Sequence, residues 1–345
     1  KSTFELKKSI ALINGNEWLI NPNNETDHFF EFDNLTKKID ISKFEASSGN
    51  EKINFSMSYF NNNDFDFQFF ADKVLIEQLD LSNKNFQVKG LLDLDLAYER
   101  STLKNNLNFD GNVYGFSLND LKMGDLSFFT DGNTQSNSYD INLLLSDEGN
   151  ETLVGNGKII GINDKPNLDI DLYLKQFNLS FLNPIGKGEI DNIRGMVSGE
   201  INLNGTIKDL KHDGKLILEN GGLAITDVNT DYTFKSGTIV NLNNQTFDLQ
   251  PTTFKDIKFG TEGQVSGKIE HNSFRNWAFD FDIFSDRILM ININENDDSV
   301  FFGDGFIGGK IDLYGPSKNL TIDVVGSTKE GTKIKIPWSK DYGLV

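Results

Sequence analysis

The chain has 345 residues, a length that usually folds as two or three domains, and its 51 Asp+Glu against 33 Lys+Arg give a formal charge of −18. That sign, with no clustered basic stripe, argues against nucleic-acid binding and against electrostatic docking on an anionic bilayer. The absence of cysteine removes disulfides, thiolate metal sites and thiol nucleophiles together, and no apolar run approaches the roughly 18–20 residues of a membrane-spanning helix.

No signal peptide opens the chain, and its ends at Lys1 and Val345 read as the cut ends of something longer. The three histidines, His28, His212 and His271, are too scattered in sequence to suggest a cluster. Phe is abundant, at 29 residues beside 6 Pro and 3 Trp, so the apolar mass sits in large flat side chains. Where those rings point decides the function.

In chain order the dominant period is two. Ile53-Asn54-Phe55-Ser56-Met57 and Phe65-Asp66-Phe67-Gln68-Phe69 come first, then a short helical pattern over 72–79 that reads as a corner. Gly90 opens an alternating strand through Leu92, Leu94 and Leu96. After the polar tip Asn163–Asn167 come Leu168-Asp169-Ile170-Asp171-Leu172 and a second corner over 176–182. The phrase GMVSGEINLNG at 195–205 follows, with Leu203, and then Leu216 and Leu218. Asn204-Gly205 and Asn220-Gly221-Gly222 can supply positive φ. Phe279-Asp280-Phe281-Asp282-Ile283 leads to a third corner over 286–290, the phrase GFIGGKIDLYG at 305–315, the tip Gly315–Asn319, and Ile322 and Val324. Successive strand side chains point to opposite faces, so this alternation predicts an all-β antiparallel sheet with one dry and one wet face.

The phrases repeat. Gly90, Gly199 and Gly309 fall about 110 residues apart, and Gly195/Gly305, Gly205/Gly315 and Gly157/Gly267 keep the same offset. Strand glycines mark bulges, bends or close approaches. The spacing therefore predicts a single elongated, curved β ribbon, built from units near 17–125, 126–235 and 236–345, with no domain boundary.

Candidate chemistry is sparse. Gly303-Asp304-Gly305-Phe306-Ile307-Gly308 fits GxGxxG, but an alternating strand follows where a dinucleotide site needs a helix. The pairs Asp93/Asp95, Asp169/Asp171 and Asp280/Asp282 each share a face, and alternation with apolar residues makes that face the solvated one. Asn294–Ser299 is oxygen-rich but lacks the glycine and closing glutamate of a helical calcium loop. Sequons such as Asn178-Leu179-Ser180 are expected by chance in an Asn-rich chain. No catalytic residues, metal site or cofactor emerge, and the chain does not read as an enzyme.

The apolar stripe remains. From the residues alone it favours the core of a closed sandwich or barrel over an open groove. Residues 301–338, with Trp18–Asn24 and the AsmA-like phrase at 199–223, resemble the TamB translocation and assembly family in its Bacteroidota form. The resemblance is loose over the chain and strongest from about 263 onward. It implies a middle-to-late fragment of a periplasmic protein, anchored in the inner membrane by a segment outside this sequence, whose repeats form a U-shaped sheet with an apolar groove. It further implies phospholipid transport and work with an outer-membrane barrel partner of TamA type. On that reading the groove is lined by Phe65, Phe67, Phe69, Leu92, Leu94, Leu168, Ile170, Leu172, Leu203, Leu216, Leu218, Phe279, Phe281, Ile283, Ile311, Leu313, Ile322 and Val324. The alternatives are a chaperone for nascent outer-membrane β-strands and a closed structural or adhesin module.

Overall fold

The computed structural model describes residues 1–61, 64–79, 86–101, 105–133, 137–161, 165–186, 188–206, 208–295 and 301–336. Among these described residues the alternating segments become 23 strands, and the fold is all-β and antiparallel. Among the described residues, helical backbone is limited to single turns at Ile76–Leu79, Leu179–Leu182 and Asn183–Gly186.

The chain divides into two compact units, Lys1–Tyr173 with Leu203–Ile207, and Leu174–Asn202 with Lys208–Val345. The first holds β1 (Ser2–Glu5), β2 (Ser9–Ile13), β3 (Asn16–Ile20), β4 (Phe29–Phe32), β5 (Ile39–Ser48) and β6 (Glu51–Asn61). It continues through β7 (Asp64–Leu75), β8 (Val88–Arg100), β9 (Asn105–Leu118), β10 (Leu121–Asn133), β11 (Ser138–Asp147) and β12 (Asn150–Ile160). From β5 to β12 each strand pairs with the one before it, an antiparallel meander. The strands β3 and β4 both pair with β5, at opposite ends of it.

Residues of β13 (Asn167–Asn178) and β14 (Ile190–Thr206) fall in both units. The second unit then runs through β15 (Asp209–Ile225), β16 (Thr230–Phe234), β17 (Thr238–Asn244), β18 (Thr246–Asp256), β19 (Glu262–Asn272) and β20 (Arg275–Ile293). It ends with β21 (Phe302–Pro316), β22 (Thr321–Thr328) and β23 (Lys333–Lys335). The short β16 and β17 share β15 and β18 between them, and from β18 to β21 the pairing is again sequential.

The first two expected corners are present as the turns after β7 and β13. The third is not. Asp286–Met290 lies inside β20, with a register shift between Ser285 and Ile288. Side chains take the N–H groups there: Ser285 Oγ accepts from Arg287 N–H at 3.0 Å and Thr261 Oγ1 from Leu289 N–H at 2.9 Å. Ile288 and Leu289 are both buried, so this stretch packs as a bulged strand. Asn220 and Gly205 have the expected positive φ, 51° and 109°, but inside strands rather than between them. The Gly315–Asn319 tip joins β21 to β22 as read, while part of the Asn163–Asn167 tip falls outside the described residues.

Two of the repeat glycines show why the phrase recurs. Gly199 and Gly309 have φ of 147° and 146°, a conformation that side-chain-bearing residues rarely adopt. A Cβ on Gly199 would strike the carbonyl oxygen of Lys215, and one on Gly309 that of Val325. Those two oxygens are themselves 325 − 215 = 110 residues apart. The same close approach of backbones is therefore made twice. Gly90 has φ 147° beside a register shift in the β8–β9 ladder, and Gly205 and Gly315 agree at 109° and 113°. Gly305 departs from the scheme: the 126° angle of Gly195 is found at Gly303 instead.

Candidate functional site

In the first unit the apolar side chains line up across strands. Phe69 faces Phe55 on one side and Leu96 on the other, and Phe67 faces Met57 and Tyr98. The row continues from Leu96 to Phe109 and from Leu94 to Gly111, then from Gly111 to Phe128, Leu143 and Gly155. Facing residues of an antiparallel pair share a face, so this is one continuous apolar surface. Rings touch within a strand and between paired strands: Phe44 on Phe55 at 4.6 Å, Phe55 on Phe67 at 6.4 Å, Phe109 on Phe128 at 5.8 Å. Glycine makes room along the row, since a Cβ at Gly111 would enter the Phe128 ring and one at Gly155 would lie 2.9 Å from Leu172.

Lining up buries only part of the row: Phe44, Phe69, Leu94 and Phe128 pack against a buried cluster that includes Trp18, Ala71, Val74 and Leu92. Of the expected lining, Leu92, Ile170, Leu216 and Ile311 are buried. Phe65, Phe67, Phe69, Leu94, Leu168, Leu172, Leu203, Leu218, Phe279, Phe281, Ile283 and Leu313 are half-buried. In two interlocked sheets, inner side chains interdigitate and lose nearly all contact with water. Ile322 and Val324 go further, at 59% and 50% exposed. They share a face with Leu313 and Ile311, but their strand β22 has β21 as its one described partner.

The second unit closes its apolar face at two places. The expectation that the histidines stand apart is corrected here: His212 Nε2 and His271 Nε2 lie 2.7 Å apart, from residues 59 apart in sequence. Phe274, from the β19–β20 tip, stacks on His271 at 4.5 Å, while Phe247 and Trp277 flank the pair. His271 Nδ1 accepts from Phe274 N–H at 3.1 Å, so in the neutral pair its Nε2 donates to His212. That leaves the His212 proton on Nδ1, buried without a hydrogen-bond partner. Burial, helped by His271, lowers the His212 pKa to about 4, and burial also lowers that of His271. At the second place the Tyr232 hydroxyl donates to the Leu289 carbonyl at 2.8 Å, joining β16 to β20 past two intervening strands. Burial pushes that phenol up to about 12.

The opposite face is acidic and wet. Asp95, Asp169, Asp171, Asp280 and Asp282 are exposed, and Asp93 accepts from Lys73 N–H at 2.7 Å. Asp282 and Asp312 are cross-strand neighbours that share Lys310, at 2.9 and 2.8 Å. The hydrogen bond from Lys310 holds the Asp282 carboxyl below its usual range, and the two carboxylates raise the Lys310 ammonium. The GxGxxG segment lies within β21 and opens no helix. Asn178 spends its side chain on capping a turn, accepting from Ser180 N–H at 2.9 Å. Most of Asn294–Ser299 lies outside the described residues.

Phe44, Phe109, Phe128 and Leu143 belong to the apolar surface although the longest alternating runs omit them. The signals available for them are short: Phe44-Glu45-Ala46, Leu107-Asn108-Phe109, Leu126-Ser127-Phe128 and Ile141-Asn142-Leu143 each give a single alternating step. No sequence signal pairs His212 with His271. No family model matches the chain, and neither the curated proteins nor the solved structures include a match to it.

Proposed function

We propose that the chain carries phospholipid acyl chains on its apolar sheet face, moving them through the periplasm between an inner and an outer membrane. The observation that supports this reading is the half-burial of Phe65 and Phe67 along continuous cross-strand rows, beside Phe69 and Leu94, which keep part of their surface in water while packing on the buried cluster. A row of rings left partly in water gains by being covered. Each buried CH₂ contributes about 0.8 kcal/mol, so an acyl chain of ~16 carbons gains on the order of 10 kcal/mol. The contact is non-directional, so a chain can slide from Phe67 to Phe69 to Leu94 without a large barrier. The charged headgroup stays in solvent. The membrane anchor and the outer-membrane barrel partner belong to this proposal through the resemblance alone.

A photo-crosslinking residue at Phe281 or Leu94 is expected to capture phospholipid in cells, and one at Asp282 or Asp93 is not. Equal labelling from both faces would sink the reading. Leu94→Asp and Phe281→Glu are expected to block transport more than they lower the unfolding midpoint.

A second reading has its own support. Every residue of β22 is exposed and its outer edge has no described partner. Such an edge can template an incoming strand, as a chaperone for outer-membrane proteins would require. Proline at Val325 is expected to abolish strand capture while leaving lipid crosslinking at Leu94 intact.

A further inference from the structure

The loop between β3 and β4 folds onto β5 around a buried asparagine. Asn21 has φ 45° and no exposure. Its Nδ2 donates to the carbonyls of Leu6 and Glu25, its Oδ1 accepts from Glu25 N–H, and its own N–H donates to the Glu45 carbonyl, all at 2.8 Å. The Glu25 backbone is thereby clamped to β5. The Leu6 N–H donates to the His28 carbonyl at 2.8 Å, and Ser42 Oγ accepts from Phe29 N–H at 3.1 Å. The result is a rigid frame that brings Glu25, His28 and Glu45 together, with one ligand atom from each lying within 4.8 Å of the others.

His28 is wholly buried, and neither ring nitrogen has a hydrogen-bond partner. Nε2 points at Glu45, 3.7 Å from Oε2. That is too long for a hydrogen bond and close to the ~3.4 Å that separates two ligand atoms each about 2.1 Å from a tetrahedral ion. Nδ1 lies 3.0 Å from Asp27 Oδ1, near enough for a hydrogen bond but not aligned for one. A carboxylate behind the far nitrogen of a histidine is the arrangement that orients metal-binding imidazoles. Lys43 accounts for part of the cluster, with Nζ 2.6 Å from Glu25 Oε2 and 3.5 Å from Glu45 Oε2. It leaves both His28 ring nitrogens without a hydrogen bond.

We propose that Glu25, His28 and Glu45 form a binding site for a divalent transition-metal ion, best matched by Zn²⁺, supported by Asp27 and in competition with the Lys43 ammonium. One imidazole with two carboxylates suits zinc, whereas calcium and magnesium sites are built from oxygen alone. The Lys43 side chain is 37% exposed and can swing into water as an ion enters. The bound ion would fasten the β3–β4 loop to β5.

Calorimetric titration of the whole chain with Zn²⁺ at neutral pH, with Co²⁺ absorption as a second readout, tests this. Wild type is expected to bind one ion per chain. Lys43→Met is expected to bind about tenfold tighter or more, and Glu25→Gln, at a partly exposed position, about tenfold weaker or more. Asp27→Asn is expected to weaken binding without changing the stoichiometry. Absence of binding in both wild type and Lys43→Met would overturn the proposal. So would unchanged affinity in Glu25→Gln, which would assign the ion to the acidic surface.

Discussion

The Phe67 row of the first unit and the Tyr232 cluster of the second are made from the same kind of alternating strand, yet one stays half in water and the other is a core. Around Phe67, ring contacts join residues of one strand or of paired strands. Around Tyr232 the sheet has curled until β16 meets β20, and Tyr232, Phe254, Val265 and Ile288 pack together in its turn. The register slips between Leu249 and Thr252 on β18, beside Pro251, which has no N–H for the ladder, and again on β20 after Ser285. Bulges raise local twist. Bulges alone do not separate the two regions, since ladders of the first unit also slip, between Ile41 and Phe44 and between Ala71 and Val74. Patterning chooses the dry face, and how far the strands curl back decides whether it is covered.

The largest effect is expected where backbones touch. Gly199→Val and Gly309→Val each combine a disfavoured φ with a clash against a carbonyl, and each should lose about 3–5 kcal/mol. Gly305→Ala, on ordinary backbone, should lose about 1 kcal/mol, all three read by urea titration. If all three fall alike, the shared bend at Gly199 and Gly309 is not special.

Next is the contrast between core and row. Phe254→Ala should cost about 3–4 kcal/mol, because a buried ring leaves a cavity, and Phe67→Ala about 1–2 kcal/mol, because its ring is already partly wet. Equal losses would erase the distinction between the two regions.

The histidine cap makes a pH-dependent version of the comparison. Burial depresses the His212 pKa from its ordinary 6.5 to about 4, so on acidification the unfolded chain takes up its proton first. The second unit keeps this stability in full above pH 6.5 and loses it as pH falls toward about 4, by on the order of 2–3 kcal/mol. His212→Leu should flatten unfolding midpoints measured across that window. An unchanged slope in the variant would place the acid sensitivity elsewhere.

The smallest effect is expected at the free edge. Val325 is 76% exposed on β22, and Val325→Lys should change stability by less than about 0.5 kcal/mol. Sedimentation should nevertheless show less self-association, since a charged edge discourages strand pairing.

Much of the fold was legible in the chain. The Phe65–Phe69 and Phe279–Ile283 alternations became strands with rings on one face and Asp66, Asp280 and Asp282 on the other. The glycine spacing marked a real backbone contact at Gly199 and Gly309. The corner expected over 286–290 failed because Ser285 and Thr261 side chains supply partners that a local pattern does not display. The meeting of His212 with His271, and of Glu25 with His28 and Glu45, depends on strands folding back over long separations.

By itself the sequence determined which residues form strands, which face is dry and where backbone must pass close to backbone. These follow from side-chain alternation and from the steric freedom of glycine, both local properties. Only tertiary structure decided how far each dry face is covered, which edge is left unpaired and which polar side chains are caught inside. Those outcomes depend on accumulated twist and register, which no short segment encodes.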